Sequence, residues 1–336
     1  MTIQVAPARF AEALRFAAAW ALILGGMASV PAAAQPYPAK PVRMVIPYPA
    51  GGSIDLSGRR LAEDLSAELG QSVIVDNRSG ANGAIGTGIV ARSAPDGYTI
   101  LLTTLAAHAG NPSIYSKLPY DTVNDFATVT VINSIPLVLV AHPSFPAGNI
   151  RDLVRLAKER PGAINYASFG TGGVAHLAGV QLAIKGGIDI THVPYKGGAP
   201  AMADVIGGHV KLFFSGINSA LPHINSGRLR ALAVSGTTRS KALPDLPTVA
   251  ETPGFKDYEA SVSPAVWAPA RTPRDIVNKL HGAILKVIQT PRFRQKLERG
   301  GEGDPIGSTP EQMAAAVKRD IGTYAELIKA AGIKPE

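Results

Sequence analysis

Along this chain, short runs of β-type apolar residues alternate with segments whose apolar positions recur every three or four residues. VRMVIPY at 42–48 reads as a strand, and Leu61, Leu65 and Leu69 beyond it predict a helix. SVIVDN at 72–77 predicts a strand, 84–92 a helix, and YTILLTT at 98–104 a strand. The apolar stretch 128–143 is too long for one ordinary strand and reads as two, broken near Ser134-Ile135-Pro136. The pattern then restarts, with a helix at 150–159, a strand at 164–169, a helix at 173–184 and a strand at 190–195. A short helix at 199–206 is stopped by Gly207-Gly208, and strands follow at 210–215 and 229–235.

The end of the chain reads as helical. Thr272-Pro273 offers a capping hydroxyl and a first-turn proline to a stripe of Ile276, Leu280 and Ile284. Thr309 and Gln312 have the spacing of a capping box. The alternation predicts an α/β protein with largely parallel sheets. Both halves repeat a strand, a glycine-rich loop and a helix, which predicts two similar α/β lobes facing each other. A chain that leaves the first lobe near 136 must return for its last helices, and 258–269 (YEASVSPAVWAP) is the expected return crossing.

Residues 1–34 have the form of a cleaved signal peptide. Arg9 and Arg15 precede an apolar run at 16–30, and Ala32-Ala33-Ala34 supplies small residues for cleavage before Gln35. The apolar run is shorter than a spanning helix needs. The expectation is therefore an exported, periplasmic protein.

Composition narrows the chemistry. With 46% hydrophobic and 17% charged residues among 336, the chain has enough apolar side chains to fold around a core. It contains no cysteine, which removes disulfide frameworks, cysteine-bound zinc and thiol nucleophiles. The formal charge of +8 comes from scattered Lys and Arg, so no nucleic-acid footprint is expected. Two loose G-x-G-x-x-A matches, from Gly86 and Gly170, lack the acidic residue that a dinucleotide site places on the next strand. There is no P-loop, no H-E-x-x-H and no G-x-S-x-G elbow. Neither a cofactor nor a metal is expected.

The glycine loops carry the chemistry. Tyr48-Pro49-Ala50-Gly51-Gly52-Ser53 and Ser168-Phe169-Gly170-Thr171-Gly172-Gly173 each join a strand's carboxyl end to a helix start. Ligands of open α/β sheets bind at that end. Paired glycines let backbone N–H groups approach a ligand, and a helix N-terminus favours an anion. Two such loops in matching places predict a shared anion site between the lobes.

At these residues the chain closely resembles the Bug/TctC family, the periplasmic solute-binding proteins of tripartite tricarboxylate transporters. The likeness rests on YPAGGSIDLSGRRLAEDL, VDNRSGANGAIGTG, APDGYTILLTT, LPYDTVNDF, PGAINYASFGTGGVAHLAG and HVPYKGGAPAMADVIGGHV, and it covers almost all of the chain beyond residue 34. The resemblance implies a type II periplasmic-binding fold with a hinge and an interlobe cleft. Lobe 1 would comprise 35–136 plus 264–336, and lobe 2 would comprise 137–263. It implies a non-enzymatic receptor, monomeric by default, that passes a small carboxylate to membrane permease subunits.

Carried over by position, first-lobe ligand contacts would be Tyr48, Ala50, Gly51, Gly52 and Asp55, with Thr103 and Thr104 at a strand end. The second lobe would offer Ser168, Gly170, Thr171, Gly172 and His176, then Tyr195, Lys196 and Gly197, with Asp204 toward the distal part of the ligand. Plainer readings stand beside these. Asp55 is also a candidate helix cap, Lys196 a solvated charge and Asp204 a local pairing residue. Thr103 and Thr104 alternate faces, so at most one reaches a pocket. Gly58 stands where the family pattern calls for alanine. Two other functions fit the same residues: presenting a ligand to a sensor kinase, or periplasmic ester hydrolysis by Ser168 and His176.

Overall fold

The computed structural model describes residues 36–335, so the leader read at 1–34 lies outside the described residues. The first sheet begins with β1 (Val42–Ile46), whose apolar residues are buried. Helix α1 (Ser53–Leu69) follows, burying Leu61 and Leu65 as their four-residue spacing requires. Then come β2 (Val73–Asn77), a 3₁₀ turn at Ala81–Gly83, α2 (Ala84–Ala91), β3 (Thr99–Thr104), α3 (Leu105–Ile114) and β4 (Phe126–Val131). The second sheet uses β5 (Ile135–Ala141), α4 (Ile150–Glu159), β6 (Asn165–Ser168), α5 (Val174–Gly186), β7 (Thr191–Pro194) and α6 (Gly198–Ile206). It continues with β8 (Leu212–Gly216), α7 (Ile217–Asn225), β9 (Arg230–Val234) and β10 (Ser261–Val262). The chain then returns to the first sheet as β11 (Pro264–Pro269) and ends in α8 (Arg274–Gln289), α9 (Pro291–Arg299) and α10 (Pro310–Ala330).

The strand orders are β2-β1-β3-β11-β4 and β10-β5-β8-β6-β7, with β9 also paired to β5. Both sheets lie in the one compact unit that starts at Pro38. They are mixed rather than largely parallel, which corrects the sequence expectation. β1, β2 and β3 run parallel, as do β6, β7 and β8. The strands next to the crossings enter from the other sheet, so β11 is antiparallel to β3 and β5 is antiparallel to β8. No helix among the described residues is long and apolar enough to cross a membrane.

Three helices escape the sequence pattern. α3 contains Gly110 and Pro112, α7 contains Pro222, and α9 is a short polar helix whose buried face is only Phe293 and Leu297. Tertiary packing overrides propensity in α3. Its small residues Ala106, Ala109 and Gly110 are buried, and the Tyr324 ring of α10 lies over Gly110. Thr272 does not cap α8: Pro273 takes the N-cap position, and the Thr272 hydroxyl is buried without a partner. The buried stripe of α8 runs through Val277, Leu280 and Ile284, one residue on from the expected Ile276. Gly58 is explained by packing, because a Cβ there would come within 2.3 Å of Ile46 Cδ1 and 2.7 Å of Leu102 Cδ2.

The chain passes between the sheets at Ile132–Ser134 and again at Ser263. A buried carboxylate, Glu302, ties the first of these crossings to both sheets' helices. It pairs with Arg60 and accepts from Ser57 Oγ at 2.8 Å, both on α1. It also accepts from Asn218 Nδ2 on α7 at 3.2 Å and from Asn133 Nδ2 in the crossing at 3.3 Å. Glu302→Ala would strand Arg60 and three amide or hydroxyl donors. Urea denaturation should show a loss of about 3 kcal/mol, as for a buried ion pair deprived of one partner. A loss under about 1 kcal/mol would show that the cluster contributes little.

Candidate functional site

In the first sheet, β1 delivers the chain to a loop that Asp55 organises from below. Asp55 Oδ2 accepts from the Gly51 amide at 2.8 Å and from Arg59 Nε at 2.9 Å, while Oδ1 accepts from Asn77 Nδ2 at 2.9 Å. Burial opposes its charge, but these bonds outweigh burial and hold the carboxyl below its ordinary value. Gly52 is the N-cap of α1 and has no side chain to offer it. The amides of Ser53 and Ile54, in the first turn, therefore have no acceptor within the helix. Tyr48 OH lies 3.1 Å from Thr103 Oγ1 and 3.4 Å from Thr104 Oγ1, and burial keeps it a neutral phenol.

In the second sheet, the loop after β6 takes positive φ at Gly170 (+147°) and Gly172 (+69°), conformations that glycine adopts without strain. Ser168 Oγ is bonded to His192 Nε2 at 2.6 Å and to the Gly170 backbone. The Gly172 amide donates to His176 Nδ1 at 3.0 Å. The two imidazoles stack with centroids 3.6 Å apart. Burial pulls His176 down to about 4, and burial with the neighbouring His176 pulls His192 down to about 3, so both rings are neutral at pH 7. α5 starts at Gly173 and α6 at Gly197, again with no side-chain cap.

These three bare helix N-termini converge. Gly52, Ser53 and Ile54 from α1, Gly173 and Val174 from α5, and Gly198 from α6 line one narrow cavity of about 30 Å³ between the sheets. A Cβ built on Gly52 would lie 4.0 Å from the amide nitrogens of both Gly198 and Ala199, so the starts of α1 and α6 adjoin there. Away from the cavity, α4 is capped by Asn149, α9 by Thr290 and α10 by Thr309 in a capping box with Gln312, while α2, α7 and α8 lack a side-chain cap. Uncapped N-terminal amides with aligned helix dipoles form a site for an anion.

Of the residues singled out from sequence, Tyr48, Gly52 and Thr104 line the cavity. Thr103 sits behind Tyr48, and Asp55 holds the loop rather than facing the cavity. The amides of Gly51 and Gly172 are already bonded to Asp55 and His176. Ser168 is fully buried within its own loop, with Gly170 beside it and Thr171 half-buried. Gly197 lies against Pro49 across the cleft, while Ala50 and Lys196 are exposed. Tyr195 OH donates to Asp204 Oδ2 at 2.5 Å, so those two residues pair with each other. Ser168 bonds His192 and not His176, which removes the arrangement a Ser168–His176 hydrolase requires.

Sequence reasoning missed Asn82, Phe169, Val174, Gly198 and Val262 in the cavity wall. Asn82 sits in a left-handed conformation beside Ala81, at φ +45° and +47°. Its Nδ2 donates to Asn111 Oδ1, and its Oδ1 lies 3.2 Å from where a Gly173 Cβ would be. The Asn82-Gly83 dipeptide was the available signal, since asparagine tolerates this backbone best after glycine.

The family model described as "Tripartite tricarboxylate transporter family receptor" matches residues 58–333. Protein BugT of Bordetella pertussis is 36% identical over 307 residues, covering 91% of this chain and 94% of that protein. The solved periplasmic binding protein BugD is 36% identical with a TM-score of 0.84, covering 89% of this chain and all of its own. The R. palustris protein Rpa4515, solved with adipate, is 34% identical with a TM-score of 0.86 over the same shares.

Proposed function

As this chain belongs to the tripartite tricarboxylate transporter receptor family, a family of solute-binding receptors rather than enzymes, we propose that it captures a small organic carboxylate between its two sheets and delivers it to the membrane subunits of such a transporter. The observation that carries the reading is the meeting of three uncapped helix N-termini on one cavity. The signal-peptide pattern at 1–34 and the likeness to a periplasmic binding protein support a periplasmic setting for a monomeric receptor. In this reading, 35–136 plus 264–336 move as one lobe and 137–263 as the other. Closure about the two crossings excludes water and strengthens the amide bonds to the carboxylate. The ligand set comprises the first-turn amides of α1, α5 and α6 with Tyr48 and Thr104 close by, while Asp55, Ser168, His176 and the Tyr195–Asp204 pair hold the loops in place.

The test is a thermal-shift panel on residues 35–336, unfolded and refolded to strip any bound ligand. An acid at about 100 times its Kd should add ~2.7 kcal/mol of stability, several degrees at this size. Its amide should add nothing. A shift with amides or sugars equal to that with acids would defeat the reading. Uptake of the identified acid, lost when the gene is deleted and restored by it, tests delivery.

A further inference from the structure

A second cavity, of about 260 Å³, opens on the first sheet and shares no lining residue with the cavity between the sheets. It lies where β11 and the edge strand β4 face α8 and α10. Thr122, Trp267 and Thr272 all line it. The two threonines are 7% exposed and the tryptophan is fully buried. Thr122 Oγ1, Thr272 Oγ1 and Trp267 Nε1 have no hydrogen-bond partner. Among the described residues six buried side-chain polar atoms lack one, so these three, half of them, gather at one place. A fourth, His108 Nδ1, belongs to a ring 4.6 Å from the Trp267 ring, whose Nε2 bonds Thr122 O at 2.9 Å. An unpaired buried donor costs free energy, so a group of them at one cavity marks where an outside acceptor belongs. An indole N–H only donates, and a threonine hydroxyl turns to donate.

The charges lining this cavity are positive. Helix α8 starts here with Pro273 as its N-cap and no side-chain cap, so its first amides add partial positive charge. Arg274 of α8 and Lys318 of α10 line the cavity and are exposed at its rim. Arg274 meets Glu311 at 3.6 Å, but the two side chains are 86% and 72% exposed, so the pair is weak and the guanidinium is free to turn. Asp275, in the first turn of α8, is exposed and lies outside the lining. Phe126, Val277 and Val317 give the cavity apolar walls. Apolar walls with a few convergent donors are the make-up of a small-molecule site. We propose that the first sheet carries a second anion site, separate from the cleft, for a small carboxylate with an apolar body. The carboxylate accepts from the Thr122 and Thr272 hydroxyls and lies at the start of α8, between Arg274 and Lys318. The hydrocarbon body packs against Phe126, Val277 and Val317. This site does not depend on the receptor reading.

The site carries its own reporter. The chain has two tryptophans, and the other, Trp20, lies in the leader, so residues 35–336 hold Trp267 alone. The experiment follows tryptophan fluorescence of residues 35–336 during titration with cyclohexanecarboxylate, with cyclohexanecarboxamide as the uncharged control. The expected result is a saturable change with the acid below about 10 mM and none with the amide. The same Kd is expected in a Gly52→Asp background, in which the cleft N-termini are occupied. Thr272→Val keeps the side-chain shape and removes an unpaired buried hydroxyl, so the melting temperature should hold or rise while Kd increases about tenfold, the loss of one hydrogen bond to a charged group. Arg274→Gln, on the exposed rim, should raise Kd about threefold without touching the fold. Any one of three results overturns the proposal. The first is no saturable change, which leaves a cavity that holds only water. The second is an equal response to the amide, and the third is a change that survives both Thr272→Val and Arg274→Gln at the parent Kd.

Discussion

Gly52→Asp should abolish carboxylate binding, with Kd raised more than ~100-fold, while leaving the protein at least as stable as the parent. The two effects have opposite signs for one reason. Gly52 has φ −77° and ψ 166°, an ordinary extended N-cap geometry that any residue adopts. A Cβ there meets nothing closer than Pro49 O at 3.4 Å, so aspartate fits without strain. Its carboxylate would accept from the first-turn amides of α1 as a normal cap and lie beside the amides of Gly198 and Ala199. It would therefore stabilise the helix start by occupying the place the ligand needs. Titration and a melting curve on the same preparation check both halves. Binding within about threefold of the parent would show that the ligand does not sit on these N-termini. Gly172→Asp is a poor substitute: a Cβ there lies 2.2 Å from Ile114 Cδ1 at a φ of +69°, so loss of fold would mask loss of affinity.

The second large effect is loss of stability between pH 6.5 and about 4. Burial lowers His108 to about 4, and His176 and His192 are lowered to about 4 and about 3. The unfolded chain takes up these protons near pH 6.5, while the folded chain refuses them until far lower. Stability is therefore fully present above pH 6.5 and falls as the pH drops through this window. Each ring contributes a slope of up to ~1.4 kcal/mol per pH unit. The carboxylates held below their ordinary values, Asp55 and Asp76 among them, lose their contribution only in more acid solution. Urea midpoints measured at pH 7.5, 6.0 and 5.0 should fall steeply. His108→Gln should flatten that fall by up to about a third, since His108 is one of the three most strongly lowered rings, and burial also lowers His223. An unchanged midpoint between pH 7.5 and 5.0 would mean the rings are not held neutral. Below pH 4, protonated His176 can no longer accept the Gly172 amide, so the second glycine loop loses its anchor as well.

Much of the architecture was legible because its signals are local. Helix α4 was read residue for residue, since Asn149 caps it, Ile150, Leu153 and Ala157 are buried on one face, and charged residues fill the other. The break between β4 and β5 was visible as a length no single strand holds, and the Thr309–Gln312 box marked the start of α10. The glycine loops announced an anion site because strand, paired glycines and helix start follow one another within a few residues. They did not announce which amides are free. Gly51 and Gly172 looked available, yet Asp55 and His176 consume their N–H groups.

By itself, the sequence determined the α/β class, the positions of most strands and helices, and the two loops where an anion is welcome, because backbone propensity, periodicity and caps act over neighbouring residues. Only the tertiary structure decided that α3 tolerates Pro112, that Ser168 bonds His192, and that Asn82 reaches the opposite loop. It alone joined Ser57 to Glu302 across 245 positions and brought three bare helix N-termini onto one cavity with apolar walls. Contacts between residues so far apart depend on how sheets and helices pack in three dimensions, and no local pattern in the chain encodes that packing.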